Sequence, residues 1–180
     1  MDYPEPVVSE LFRSAFVDER LFVERLGGSK SDPEAVKRYL SLPIAARPEI
    51  SFFFDRMYYW DRYPGMRTVE IDPLAHFIKH GVGEERTPHP LIDIAFMKSF
   101  PELLPDPVTI DALYAALSQD VADPSSIFSL DYYRSQLDGS MRIKGGLLRH
   151  FLEMGILLGF KPSPAFDPIA HYYRDPKENV

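Results

Sequence analysis

Apolar residues in this chain recur at helical spacing, in short bursts that open and close on recognisable signals. Val7, Val8, Leu11, Phe12 and Ala15 predict a short amphipathic helix from Val7 to Phe16, placed as a cap on the helices C-terminal to it. The clearest burst runs from Phe54 to Asp93. If Asp55 is an N-cap, Phe54 falls at N′ and Tyr59 at N4, the two positions of a hydrophobic staple. A second helix is signalled at Asp72-Pro73, where aspartate caps and proline occupies N1, a position with no intrahelical hydrogen bond to lose. Leu74, Phe77 and Ile78 then keep helical spacing, and Gly81 stands where a left-handed C′ residue would end the helix.

The same two-helix pattern restarts along the chain. Val17-Asp18 opens a unit with Leu21 and Phe22, stops at Gly27-Gly28, and continues with a second helix from Asp32-Pro33 through Val36, Tyr39 and Leu40. Leu91-Ile92-Asp93 restarts it, and Asp106-Pro107 precedes the apolar series Ile110, Leu113, Tyr114 and Leu117. Phe128-Ser129 restarts it again with serine as cap, and the second helix contains Leu147 to Gly155. Phe166-Asp167 begins a fifth, partial unit. The starts at 17, 54, 92, 128 and 166 differ by 37, 38, 36 and 38 residues, the signature of stacked helical hairpins. The expected fold is therefore all-α: one domain over residues 1–180, built of about four two-helix units of roughly 37 residues. Helices this short are marginal alone and must be held by their neighbours. The pattern leaves open whether they form an open stack or a closed bundle.

Composition narrows the function. The 180 residues contain no cysteine, which excludes disulfides and thiolate metal sites. No basic, apolar leader opens the chain and no apolar run approaches a membrane span, so cytoplasm is the simple reading, although lack of cysteine alone does not fix the compartment. A net charge of -7 argues against a nucleic-acid partner.

Catalytic chemistry is not signalled. No P-loop, GxGxxG, HExxH or nucleophile elbow is present. Asp18, Asp55, Asp93 and Asp167 share one place in the pattern, so they read as caps rather than as acid/base carboxylates. His76 and His80 share a helix face near Glu84 and His89, a spacing compatible with Zn²⁺. The simpler reading has His76, echoed by His150, donating to a neighbouring helix end, with His80 facing the helix dipole; no metal or cofactor is expected. Trp60, Arg62 and Tyr63 follow the Tyr58-Tyr59 pair, and some must point outward, giving the aromatic and planar-polar mixture used by sugar-binding surfaces. With Arg86 they are the candidate binding residues; Arg86 beside Glu84-Glu85 also reads as a solvated loop or an inter-unit ion pair.

Phe54, Asp55, Tyr58, Tyr59, Pro64, Pro73, Leu74, His76, Gly81, Glu84, Arg86, Pro88 and Pro90 carry the pattern F-D-x-x-Y-Y, Y-P, P-L-x-H-F, H-G-x-x-E-x-R-x-P-x-P. This resembles a short tandem repeat of bacterial proteins linked to surface-polysaccharide synthesis, often found beside glycosyltransferase or sulfotransferase domains. The resemblance covers most of the chain after Val17. Gly65-Met66 stand where the repeat has Asp-Val, Glu85 where it has glycine, and the third unit lacks the His-Gly elements. It implies an accessory role with no defined reaction; the repeats, the aromatic content and the missing catalytic constellation point to a non-enzymatic module that docks on a protein partner or larger assembly. The alternative is a module that binds a cell-surface polysaccharide.

Overall fold

In a computed structural model of the chain, residues 10–139 and 141–166 are described. These residues are helical, with no β-strand among them. The helices are α1 (Glu19–Leu26), α2 (Pro33–Ser41), α3 (Arg56–Arg62), α4 (Pro73–His76), α5 (Ile94–Lys98), α6 (Ile110–Ser118), α7 (Leu130–Ser135) and α8 (Leu147–His150). Two more short turns, Ile44–Ala46 and Pro64–Arg67, are 3₁₀. Of the expected Val7–Phe16 helix, residues 10–13 are helical and residues 7–9 lie outside the described residues, as does the fifth unit from Asp167 onward.

The caps explain where the helices start. Asp18, Asp32, Asp55 and Asp93 each accept a backbone N–H from the first turn of α1, α2, α3 and α5. Ser129 does the same for α7, and Thr109, rather than Asp106, caps α6. Phe54 and Tyr59 meet with ring centroids 5.2 Å apart, the predicted staple. Four residues past the first-helix caps stand Phe22, Tyr59, Met97 and Tyr133, each fully buried at 0% exposure. One register thus places one core side chain per opening, whatever its chemistry.

A second bond ties each opening to a distant carbonyl. The amides of Asp18, Asp55, Asp93 and Ser129 donate to the carbonyls of Ile50, Pro88, Pro124 and Pro162, at 2.8, 3.0, 2.9 and 2.8 Å. Each bond satisfies a donor just outside a helix and closes a loop of similar length.

Two helices end unexpectedly. Gly81 is not left-handed, and the chain does not stop there: α4 runs on through a π turn, Phe77–Gly81, into Val82, which is still helical. A Cβ on Gly81 would stand 2.6 Å from the Tyr59 hydroxyl, so the glycine serves close approach and not chain reversal. Gly155 ends the matching π turn, Phe151–Gly155, under the Tyr133 hydroxyl. The left-handed residues come later, at Glu85 (φ 55°) and Gly159 (φ 77°).

The helices close on themselves, with one continuous core. Arg149 Nη2 of α8 pairs with Asp18 Oδ2 at the mouth of α1 (2.7 Å), and Arg20 pairs with Glu153 (2.5 Å). Phe53 meets Tyr114 edge-on at 6.2 Å, joining the segment before α3 to α6.

Candidate functional site

The expected binding residues sit at the end of α3 and on the segment after the first π turn. Tyr59 anchors this corner: its hydroxyl hydrogen-bonds His76 Nδ1 (3.1 Å), and its ring lies 4.9 Å from that of Tyr63. Burial raises the Tyr59 phenol well above its usual range and, with the nearby Arg86 charge, lowers the His76 imidazole. Both are therefore neutral partners at neutral pH. This corrects the expectation that His76 reaches a neighbouring helix end; it reaches a tyrosine hydroxyl instead.

Tyr63 is the pivot of the polar part. Its hydroxyl accepts from the Thr87 amide (2.8 Å), and the Arg86 guanidinium lies 4.8 Å from its ring centroid. Arg86 Nε donates to Glu84 Oε2 (2.6 Å). Arg62 is exposed, and its hydrogen bond with Tyr63 raises its affinity for its proton. Tyr63, Arg62 and Arg86 are thus brought together. Trp60 is half-buried and stands instead between Arg56 and Arg67, whose guanidiniums lie 5.7 and 5.8 Å from its ring. The loop ion pair expected for Arg86 is the local one with Glu84; the inter-unit pair is made by Glu85 with Lys98 (2.5 Å).

Seventy-four residues on, Tyr133 hydrogen-bonds His150 Nδ1 (2.6 Å) over Gly155, in the same arrangement. There the counterpart of Arg86 is Phe160, edge-on to Tyr133 at 6.1 Å, and the counterparts of Tyr63 and Glu84 are Leu137 and Leu158. The Tyr–His–Gly set works beneath a charged lid and beneath an apolar one. It is a packing device; Tyr63, Glu84 and Arg86, with His80 where the second corner has Met154, set the first corner apart.

The histidines do not converge on an ion. His76 and His80 have ring centroids 5.6 Å apart, but His76 Nδ1 is engaged by Tyr59 and His89 Nδ1 accepts the Leu91 amide (3.0 Å). Among the described residues, no three His, Asp or Glu side chains gather as a metal site would require.

Two features were not read from the sequence. The first is a polar position three residues before each opening, buried at Ser14, Ser51, Ser125 and Ser163 and half-buried at His89. Ser14 and Ser51 accept the amide two residues on, at 3.2 Å, as His89 does. Its period equals that of the openings, so the signal was present. The second is the Arg47–Asp72 pair (2.8 Å), with both side chains nearly inaccessible at 3% and 4%. Asp72 caps α4 with Oδ1, while Oδ2 takes Arg47 and the Tyr39 hydroxyl (2.9 Å). Arg47 also donates to the carbonyls of Leu40 and Leu42 at the end of α2.

No family model, curated protein or solved structure matches this chain. Among the described residues no helix is long and apolar enough to cross a membrane.

Proposed function

We propose that the chain is a non-catalytic docking module of about four stacked two-helix units, an accessory of a larger assembly such as one making bacterial surface polysaccharide, acting in the cytoplasm. The observation that carries this reading is that the recurring polar side chains are consumed by the fold. The aspartates cap helices, His76 and His150 bond tyrosines, and Arg47 and Asp72 neutralise each other. What remains for recognition is surface, including the exposed Met57 and Arg62 on α3. The resemblance of Phe54 to Pro90 to the polysaccharide-associated repeat gives the kind of assembly.

A photoreactive residue at position 57 or 62, with position 144 as control, tests this in the source cells. A discrete cross-link to one component of the polysaccharide-synthesis machinery from α3, absent from position 144, is the expected result. Identical or absent cross-links from both faces would remove the docking reading. The second reading, a glycan-binding module, is favoured by Arg86 over Tyr63 and by Trp60 between two arginines. It requires saturable calorimetric binding of the source cells' own polysaccharide, lost in Trp60→Ala.

A further inference from the structure

Two apolar surfaces remain that the fold does not use. The first is a ridge. Past the second π turn the chain stays helical, with Leu158 N–H bonded to Met154 O (3.0 Å), so Met154, Leu157 and Leu158 stand on one face at i, i+3 and i+4. All three are exposed, and Leu157, at 81%, is the most exposed large apolar side chain among the described residues. Their counterparts after the first π turn are His80, Gly83 and Glu84. The same backbone is built there with a polar surface, so the Tyr–His–Gly packing beneath does not call for apolar side chains at these places.

The second is a cleft of ≈ 550 Å³ against α6, lined by Phe100, Leu103, Ala112, Ala115, Ala116 and Val121 among others. Ala115 stands where the second unit has the buried Ile78, so α6 presents small side chains, flanked by the exposed Phe100 and by Val121 at 60%. The polar side chains of the lining, Glu102 and Gln119, are both exposed. A small polar ligand needs enclosed polar groups to orient it. An apolar floor with a polar rim is instead the form of a protein-binding surface.

Charge distinguishes the two surfaces. Between Ser99 and Tyr133 the chain has six Asp or Glu and no Lys or Arg, with Glu102 in the cleft lining and Asp111 exposed on α6. Between Gly139 and Lys161 it has four Lys or Arg and a single carboxylate, Glu153, with Arg142 and Lys161 exposed. An apolar cleft in an acidic setting and an apolar ridge in a basic one are complementary, and every copy of the chain carries both. Leu157 is exposed and the cleft is open within one molecule, so the ridge does not fill its own cleft.

We propose that the chain binds a second copy of itself, the Met154–Leu157–Leu158 ridge of one copy seating in the α6 cleft of the other. Related by a two-fold axis, the pair would make this contact twice. The α3 face takes no part, so failure here leaves the docking reading standing, and failure of that reading leaves this one. The test is sedimentation equilibrium of the full chain from micromolar to near-millimolar concentration, where the mass should rise from 20.7 kDa to at least its double. Leu157→Glu sets a carboxylate against the acidic cleft, and Val121→Lys sets a cation against the basic ridge. Each should weaken association roughly tenfold or more. Both positions are exposed, so circular dichroism and melting should stay as in the wild type. The two variants mixed should associate roughly tenfold more tightly than either alone, because each supplies the surface the other lacks. A ridge-to-ridge contact would be lost in Leu157→Glu and not recovered by mixing. A wild-type chain that stays monomeric, as it would if residues 167–180 covered the ridge in the same molecule, unchanged association in either variant, or no recovery on mixing would each overturn the proposal.

Discussion

His89 should make the fold acid-sensitive over a window where most side chains are silent. It is half-buried at the position filled elsewhere by the buried Ser14, Ser51, Ser125 and Ser163, and its Nδ1 accepts the Leu91 amide. That bond needs the neutral ring, and burial holds the imidazole down at about 4, against 6.5 when free, with Asp55 opposing weakly. Below pH 6.5 the unfolded chain takes up a proton that the folded chain refuses, so stability falls as pH drops toward 4 and levels off below it. With these two values the loss between pH 7 and pH 5 comes to about 2 kcal/mol. His89→Ser replaces the titrating acceptor with the hydroxyl used at the other positions. The smaller side chain should cost about 1 kcal/mol at pH 7 through lost packing. Its urea midpoint should nonetheless fall less than that of the wild type from pH 7 to pH 5, closing most of the gap. Parallel pH dependences in the two proteins would refute the reasoning, because the imidazole would then not be the group that titrates.

Glu49 should act in the opposite direction. Burial raises its carboxyl to about 7 despite Arg56 at 3.0 Å, so its contribution is fully present below pH 4.5 and is lost as pH rises through 7. Glu49→Gln, which keeps an acceptor for Arg56, should be the more stable protein at pH 8 by about 1 kcal/mol, a figure discounted because the side chain is 40% exposed; equal midpoints at pH 8 would count against it. Asp72→Ala removes a cap and strands the buried Arg47, and should cost about 3–5 kcal/mol in chemical denaturation; a loss under 1 kcal/mol would mean the pair is not buried as described. Gly81→Ala, whose Cβ meets the Tyr59 hydroxyl, should lower stability by about 1–3 kcal/mol, whereas Gly65→Ala, which meets nothing within 4 Å, should be neutral or stabilising; thermal melts of the two variants distinguish them.

Helix starts were legible, as was the stop at Gly27, which takes the left-handed conformation just after α1, but the role of Gly81 and Gly155 was not, for a physical reason. A start is set by a local bond from one side chain to an amide two or three residues on, so Asp18, Asp32, Asp55 and Asp93 announce themselves. Gly81 and Gly155 instead make room for a tyrosine hydroxyl from another helix while the chain stays helical, and no local rule distinguishes a glycine that reverses the chain from one that makes room. Glu85 shows the same limit from the other side. The resembling repeat has glycine there, and Glu85 indeed takes the left-handed conformation, as its counterpart Gly159 does. Of the candidate binding residues, Tyr63 with Arg86 is a contact the chain order hides. The contact between the two ends was invisible, because its partners, Asp18 and Arg149, stand more than one hundred positions apart.

The Asp18–Arg149 bond also decides how such a molecule can change size. In an open stack the ends are free: units can be added or deleted, fraying begins at the termini, and the melting transition broadens with length. Here one carboxylate both starts α1 and holds α8. Removing helices between them would pull that contact apart, and inserting more would push it open. Closure thus constrains the chain between the two residues, and the molecule should melt in one step rather than peel from its ends.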